Sequence, residues 1–177
     1  MKESIFDKIS SEWWDKNGPM KMLHSMNETR MLFIKERIIN KYQKLGSLKK
    51  ILEKKLILDL GCGGGILSET LAEQGANIVA IDQSKKLINE AKKRAKSKKL
   101  KIDYQCQSLK SLKRKRAKFD MILCMEVVEH VQDYRSFIKL AFECLKKDGI
   151  IIFSTINKSV LSYFTTIFLA EKILKLV

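Results

Sequence analysis

The segment LILDLGCGGG, residues 56–65, constrains the fold of this chain more than any other stretch. Its first five residues form a short apolar run, which is typical of a strand buried on both faces of a parallel sheet. The glycines that follow stop this run and let the backbone turn tightly, so that amide groups and the start of a helix can approach a ligand. The segment therefore predicts a nucleotide-binding turn, with a tight β-to-α corner that binds nothing as the alternative.

An acidic residue ends the second predicted strand. Asp82 closes the run NIVAID, 21 residues after Gly61, where a carboxylate can accept hydrogen bonds from both ribose hydroxyls. The turn matches the pattern DxGxGxG throughout, but it lacks the third glycine of the dinucleotide fingerprint. The matching residues are Asp59, Gly61, Gly63 and Gly65. Together these features favour an adenosyl group over NAD.

Strands and helices alternate after residue 56, which implies a doubly wound, mostly parallel α/β sheet with right-handed crossovers. The predicted strands lie at 56–60, 77–82, 101–106, 119–125 and 150–156, and the predicted helices at 65–74, 84–98 and 133–146. Asp148 and Gly149 are read as the stop signal of the last of these helices.

The chain is predicted to be a single domain, because no Pro-rich or Ser-rich linker interrupts it. Helical runs at 5–16 and from about 20 to Gly46 predict an N-terminal helical cap. The expected parts are the cap at 1–50, a Rossmann-like core at 51–156 and an apolar C-terminal helix at 157–177.

The composition limits which binding partners and which cellular compartment we expect. The net charge of +15 fits either a phosphate-binding surface or a generally lysine-rich protein; we favour the second and expect no nucleic acid. Four cysteines without a CxxC pair and an N-terminus without an apolar run indicate a reduced, cytoplasmic protein. The uncharged run 159–170 is too short to span a bilayer, so it either docks on an anionic inner-membrane surface or packs on the sheet.

Four blocks of the sequence resemble the ubiquinone-biosynthesis O-methyltransferases, a family of class I methyltransferases. They are WWDKNGPMKMLHSMNETRMLFIKERI, ILDLGCGGGILSETLAEQGA, CMEVVEHV and FSTINK. The resemblance implies a Rossmann-like fold and methyl transfer from S-adenosylmethionine to a phenolic or catechol hydroxyl of polyprenylated ubiquinone precursors, of the 2-polyprenyl-6-hydroxyphenol and 3-demethylubiquinol type. It also implies other ubiquinone-pathway proteins as partners.

The same resemblance assigns roles to individual residues. The implied cofactor contacts are Arg30, Gly61, Asp82 and Met125, to which the turn adds Asp59 and Gly63. Arg30 would meet the methionine carboxylate as a charge-assisted partner. The implied catalytic residues and ligands of a divalent metal, Mg²⁺, are Glu126, Glu129 and His130.

The run EVVEH is chemically sensible without the resemblance. Spacings of three and four residues can place Glu126, Glu129 and His130 on one face just beyond a strand end, where parallel sheets form their sites. A phenol with a pKa near 10 is a poor nucleophile, so either a bound Mg²⁺ stabilises the catecholate or His130 acts as general base. Alternatively, Glu129 and His130 only cap the next helix.

Two expectations concern residues outside this set. Trp13 and Trp14 are predicted to pack rather than to line the site, because aromatic residues at helical spacing usually do. The sequence ends before the family's last two strands, so we expect a sheet without them and an incomplete acceptor pocket. An inactive or split-gene remnant, or a methyltransferase acting on RNA or another small molecule, is therefore the alternative function.

Overall fold

The computed structural model describes residues 5–155, which form one parallel five-stranded sheet with helices on both faces. The strands follow the order β3-β2-β1-β4-β5, which confirms the predicted doubly wound α/β fold. Their bounds are Leu56–Leu60 (β1), Asn77–Asp82 (β2), Asp103–Cys106 (β3), Phe119–Met125 (β4) and Leu145–Ser154 (β5).

Helices cover the two faces of this sheet unequally. They are Ile5–Lys8 (α1), Lys21–Tyr42 (α2), Leu48–Lys54 (α3), Ile66–Ala72 (α4), Lys85–Ser97 (α5), Leu109–Arg114 (α6) and Tyr134–Glu143 (α7). One apolar cluster joins α2, α3, α4 and α5 to the sheet, and a second joins α6 and α7 to its other face. Ile57 and Leu58, neighbours in β1, lie in different clusters and are both fully buried, because successive side chains of a strand point to opposite faces.

The strand order indicates where a ligand site is expected. The chain builds β1, β2 and β3 toward one side and then returns to add β4 and β5 on the other. The direction of winding therefore reverses between β1 and β4, which pair in parallel. In open α/β sheets, ligands bind beyond the carboxyl ends of the strands at this switch point. The turns after β1, β2 and β4 meet there.

Several predicted bounds were wrong. The helix predicted at 133–146 ends at Glu143, and β5 begins at Leu145, so Asp148 and Gly149 lie inside the strand and not at a helix end. The ladder explains the error: Phe119 pairs with Leu145 and Met121 with Ile150, so the register shifts and β5 accommodates the additional residues. The intervening polar residues resemble a loop when only the sequence is read.

The helical cap also differs from its prediction in detail. The run predicted at 5–16 is split into α1 and a short 3₁₀ turn, Ser10–Glu12. Neither α3 nor α6 was predicted, although both carry a buried apolar face. No helix among residues 5–155 is long and apolar enough to cross a membrane. The predicted helix at 157–177 falls outside the described residues.

Candidate functional site

The glycine turn is held against the end of β2 by its own backbone. The amides of Gly61 and Cys62 both donate to the carbonyl oxygen of Ile81, at 2.8 and 3.0 Å. Gly61, Gly63 and Gly65 have φ values of +78°, +54° and +92°, which residues with a Cβ rarely adopt. The turn therefore leads directly from β1 into α4, with its backbone at the carboxyl edge of the sheet.

Asp82 lies where the sequence predicts a ribose-binding carboxylate, next to the turn. One of its oxygens accepts a hydrogen bond from the amide of Gly63 at 3.0 Å, and the other accepts from the amide of Ser84 at 2.8 Å. An ionised carboxylate has about four acceptor positions. Asp82 can therefore organise the turn and still accept hydrogen bonds from a ligand.

Asp59 lies beneath the turn, with 2% of its surface exposed. Its Oδ2 accepts a hydrogen bond from the hydroxyl of Ser68 at 2.5 Å. Burial raises the pKa of Asp59 to about 6, and the nearby Asp82 adds to the increase, while the Ser68 hydrogen bond and the charge of Arg30 oppose it. This position supports the turn from below.

Arg30 reaches the same edge from α2. The buried Asn27, one helical turn earlier, donates to the hydroxyl of Thr70 in α4 at 2.9 Å and fixes this part of α2. Arg30 Nη2 lies 3.2 Å from Glu126 Oε1. Its Nε is buried and has no hydrogen-bond partner among the described residues. A buried guanidinium donor without an acceptor is costly, and a ligand carboxylate would satisfy it.

Glu126 has an unusual backbone conformation. Its φ is +55°, a conformation that costs an ordinary residue about 1–3 kcal/mol and that concentrates at functional sites. Hydrogen bonds with β5 hold it in place, since its amide donates to the carbonyl of Ser154 at 3.0 Å and its carboxylate accepts from the Ser154 hydroxyl at 2.8 Å. Its carboxylate thus joins β5 to Arg30.

The predicted metal ligands are near one another in sequence but are not assembled as a ligand set. Glu126 is engaged by Arg30 and Ser154, and Glu129 accepts a hydrogen bond from the hydroxyl of Thr155 at 3.0 Å. The His130 ring lies edge-on to Phe6, with centroids 5.6 Å apart. Within residues 5–155, no three His, Cys, Asp or Glu side chains are grouped so that they could hold a metal ion. As they are placed in the described part of the chain, these three side chains do not fit the predicted Mg²⁺.

Trp13 belongs to the site, although the sequence predicted only that it packs. Its ring packs against the turn so closely that a Cβ added to Gly63 would lie 2.5 Å from Trp13 Cζ2, and one added to Gly64 would also collide with the ring. The prediction that Trp13 packs is correct, but the partner is the glycine turn. The adjacency of two tryptophans gave no signal of this contact, because it joins residues 50 positions apart.

A cavity of about 400 Å³ adjoins these residues between α2 and β5. Arg30 and Met125 line it together with Met26, Phe33 and Ile152. The volume is in the range of small-molecule sites, and a mostly apolar wall with few polar groups is typical of them. The site thus combines a glycine turn, an acidic strand end and the buried Nε donor of Arg30, which nothing in the described part of the chain accepts from, with a neighbouring apolar cavity.

Comparison with known proteins agrees with this geometry. Residues 58–153 match the family model described as a methyltransferase domain. The curated ubiquinone biosynthesis O-methyltransferase of Pelagibacter ubique (strain HTCC1062) is 51% identical over 170 residues, which are 96% of this chain and 70% of that protein. The protein of the same name from Coxiella burnetii (strain Dugway 5J108-111) is 39% identical, covering 97% of this chain and 68% of the relative.

Solved structures show the same fold. An S-adenosylmethionine-dependent methyltransferase from Clostridium acetobutylicum ATCC 824 aligns with a TM-score of 0.61 at 25% identity, over 87% of this chain and 58% of that one. The plantazolicin methyltransferase BpumL, solved with SAH, aligns with a TM-score of 0.64 at 19% identity, over 92% and 62% of the two chains. These matches identify S-adenosylmethionine as the cofactor for which the described turn is built.

Proposed function

The chain belongs to the ubiquinone biosynthesis O-methyltransferase family, and from this premise we propose that it methylates a phenolic or catechol hydroxyl of polyprenylated ubiquinone precursors. The observation that carries the proposal is the apolar cavity beside Arg30 and Met125. It adjoins the cofactor residues and offers an apolar wall for an aromatic acceptor. The 2-polyprenyl-6-hydroxyphenol and 3-demethylubiquinol types are the proposed acceptors.

The cofactor supplies an electrophilic methyl group when bound, and the residues of the chain bind and orient it. The backbone of Gly61 and Gly63 lets the cofactor approach the turn closely. Asp82 accepts hydrogen bonds from the ribose hydroxyls with the acceptor positions that Gly63 and Ser84 leave open. Arg30 donates to the methionine carboxylate through its buried Nε. Asp59 supports the turn, and Met125 contacts the cofactor from the end of β4.

We propose His130 as the group that accepts the proton of the acceptor hydroxyl. It lies on the 3₁₀ turn Val128–His130, just beyond β4, and its side chain is exposed. Removing the proton matters because a phenol is mostly protonated near neutral pH. Glu126 orients Arg30, and Glu129 lies on the same turn as His130. These roles make the EVVEH run the acceptor side of the site.

Cofactor binding is tested with two arginines of the same helix. Arg30→Met removes the buried donor, whereas Arg37→Met removes an exposed guanidinium that lies over the Phe33 ring. We expect Arg30→Met to weaken S-adenosylmethionine binding about 10- to 100-fold, the range for a hydrogen bond to a charged group. Arg37→Met should bind as the wild type does. Isothermal titration calorimetry measures both; equal affinities of the two variants would contradict the role of Arg30.

The acceptor is tested separately, with S-adenosylmethionine carrying a labelled methyl group. We expect label to reach a synthetic catechol with a short polyprenyl tail, and His130→Ala to lower the rate about 10²- to 10⁴-fold, as expected for a general base, while cofactor affinity is unchanged. Binding of the cofactor without methylation of any prenylated phenol or catechol would refute the proposed acceptor and leave the cofactor site intact.

A further inference from the structure

The N-terminal segment 6–14 lies across the cofactor site and contacts three of its elements. Asp7 accepts a hydrogen bond from the hydroxyl of Ser84, two residues after Asp82. The Phe6 ring meets His130, beyond β4, with centroids 5.6 Å apart. Trp13 lies against the glycine turn itself. The segment therefore contacts the residues that follow β2, the residues that follow β4 and the glycine turn.

Trp13 is held firmly in this position. Only 5% of its surface is exposed, and it packs with Ile66 and Leu87 at the starts of α4 and α5. Its carbonyl oxygen accepts a hydrogen bond from His24 Nε2 at 3.0 Å. The backbone is thus fixed to α2 while the ring is fixed to the turn.

One polar atom of Trp13 is not satisfied. Its Nε1 is buried and has no hydrogen-bond partner among the described residues. An indole N–H can only donate, and a buried donor without an acceptor costs about 1–3 kcal/mol. Such groups usually have a partner in the functional protein. Here the donor belongs to a ring that lies on the turn that approaches the cofactor.

We propose that Trp13 is a cofactor-binding residue whose indole N–H donates to an oxygen of bound S-adenosylmethionine. The ring simultaneously covers Gly63 and Gly64 and excludes water from this side of the turn. The absence of side chains at Gly63 and Gly64 then has a second purpose, since a Cβ at either residue would displace the ring. The inference depends on the cofactor and not on the identity of the methyl acceptor.

The chain has only two tryptophans, which provides a matched control. Trp14 Nε1 is also buried and has no partner within residues 5–155, but the Trp14 ring lies under the guanidinium of Arg94, 4.4 Å from its centroid. Trp13→Phe keeps an aromatic ring on the glycines and removes the donor. Trp14→Phe removes the other donor and leaves Trp13 as the only tryptophan fluorophore.

Calorimetry should separate the two variants. We expect Trp13→Phe to weaken S-adenosylmethionine binding about tenfold, the cost of losing a hydrogen bond to a charged or strongly polar group, and Trp14→Phe to change it less than twofold. 5′-Methylthioadenosine, which has the ribose but no methionine carboxylate, identifies the acceptor. A loss confined to S-adenosylmethionine assigns the carboxylate, and an equal loss for both ligands assigns a ribose hydroxyl.

Fluorescence gives a readout that needs no substitution at Trp13. In Trp14→Phe, the emission of Trp13 should change in intensity or wavelength and saturate at the cofactor concentration that calorimetry gives. Unchanged Trp13 emission at saturating cofactor would overturn the proposal. So would unchanged or tighter binding by Trp13→Phe, since tighter binding would mean that the ring blocks the site. Neither result depends on methyl transfer, so failure of the proposed acceptor chemistry is recognised separately.

Discussion

At the scale of single residues, Asp59 shows how the site uses a buried carboxylate. The folded chain raises its pKa to about 6, chiefly through burial and further through Asp82. The ordinary value is near 4, so the folded state holds the proton more tightly than the unfolded state does. The contribution of Asp59 to stability therefore falls as pH rises from about 4 to about 6 and is level above that range.

This gives a pH-dependent prediction for Asp59→Asn. The free energy of unfolding of the wild type, measured relative to the variant, should fall by about 2 kcal/mol between pH 4 and pH 7. Urea titrations at a series of pH values measure this difference. Ser68→Ala removes a hydrogen bond that lowers the pKa of Asp59, so the decline should extend to higher pH. Parallel pH curves for wild type and Asp59→Asn would contradict the raised pKa.

Some residues of the site can be predicted from the sequence and others cannot. Asp82, Gly61 and Gly63 follow from a strand–turn–helix pattern whose spacing fixes where they lie. The pairing of Arg30 with Glu126 joins residues 96 positions apart, and local pattern carries no information about it. Trp13 was missed for the same physical reason. The predicted metal set had suitable spacing, but Glu126 has a left-handed backbone and is engaged by Arg30.

At the scale of elements, α4 lies between two glycines with positive φ, one just before its first residue and one three residues after its last. Gly65 caps the amino end at φ +92°, and Gly75 follows the carboxyl end at φ +88°. Their surroundings differ, since a Cβ on Gly65 would collide with the hydroxyl of the buried Tyr104, whereas one on Gly75 would make an ordinary contact with Glu53 at 3.6 Å. A side chain at Gly75 would therefore meet only backbone strain, whereas a side chain at Gly65 would meet both backbone strain and steric crowding.

Alanine substitution at both glycines tests this difference. Gly75→Ala should cost about 1–2 kcal/mol of unfolding free energy, because it incurs only the left-handed backbone penalty. Gly65→Ala should lose about 1–3 kcal/mol more, because Tyr104 or the turn must also move, and it should weaken cofactor binding. Chemical denaturation and calorimetry measure the two effects. Equal losses of stability would mean that Tyr104 moves aside freely.

Elements were predictable where hydrophobic period and glycine signals agreed. The strands β1, β2 and β4 are found at their predicted positions, because each is an apolar run with a clear end. The helix α6 was missed because its basic residues surround just two buried leucines, Leu109 and Leu112. The start of β5 was missed because Lys146, Lys147 and Asp148 resemble a surface loop, although the strand continues through them.

At the scale of the whole molecule, the two ends of the parallel strands have different roles. The carboxyl edge carries the site, whereas Asp120, at the amino edge, ties elements together. Its carboxylate accepts from the amide of Leu56 at 2.9 Å and from Lys146 at 2.8 Å, and its carbonyl accepts from Tyr42 at 3.0 Å. Although burial alone would raise the pKa of Asp120, the hydrogen bonds from Lys146 and Leu56 lower it overall.

Substitutions at the two ends of the strands should affect stability and cofactor binding separately. Asp120→Ala should lower the free energy of unfolding by about 1–3 kcal/mol, since it leaves the partly buried partners of β1 and β5 without their acceptor, while its affinity for S-adenosylmethionine stays that of the wild type. Asp82→Ala should lose cofactor affinity. Because the lowered pKa of Asp120 stabilises the fold only above about pH 4, the destabilisation by Asp120→Ala should shrink in acid.

Thermal unfolding and calorimetry on the same preparations distinguish the two carboxylates, provided that binding is measured well below the unfolding temperature of each variant. Asp120 lies near the start of β4, whereas the site lies beyond the end of this strand at Met125, and substitutions at distant positions without shared partners usually act independently. If fully folded Asp120→Ala bound the cofactor more weakly, the hydrogen bonds of Asp120 at the amino ends of the strands would be needed to hold β1 or β4 in position. In that case the conformation of the glycine turn would depend on how β1 and β4 are held at their amino ends as well as at their carboxyl ends.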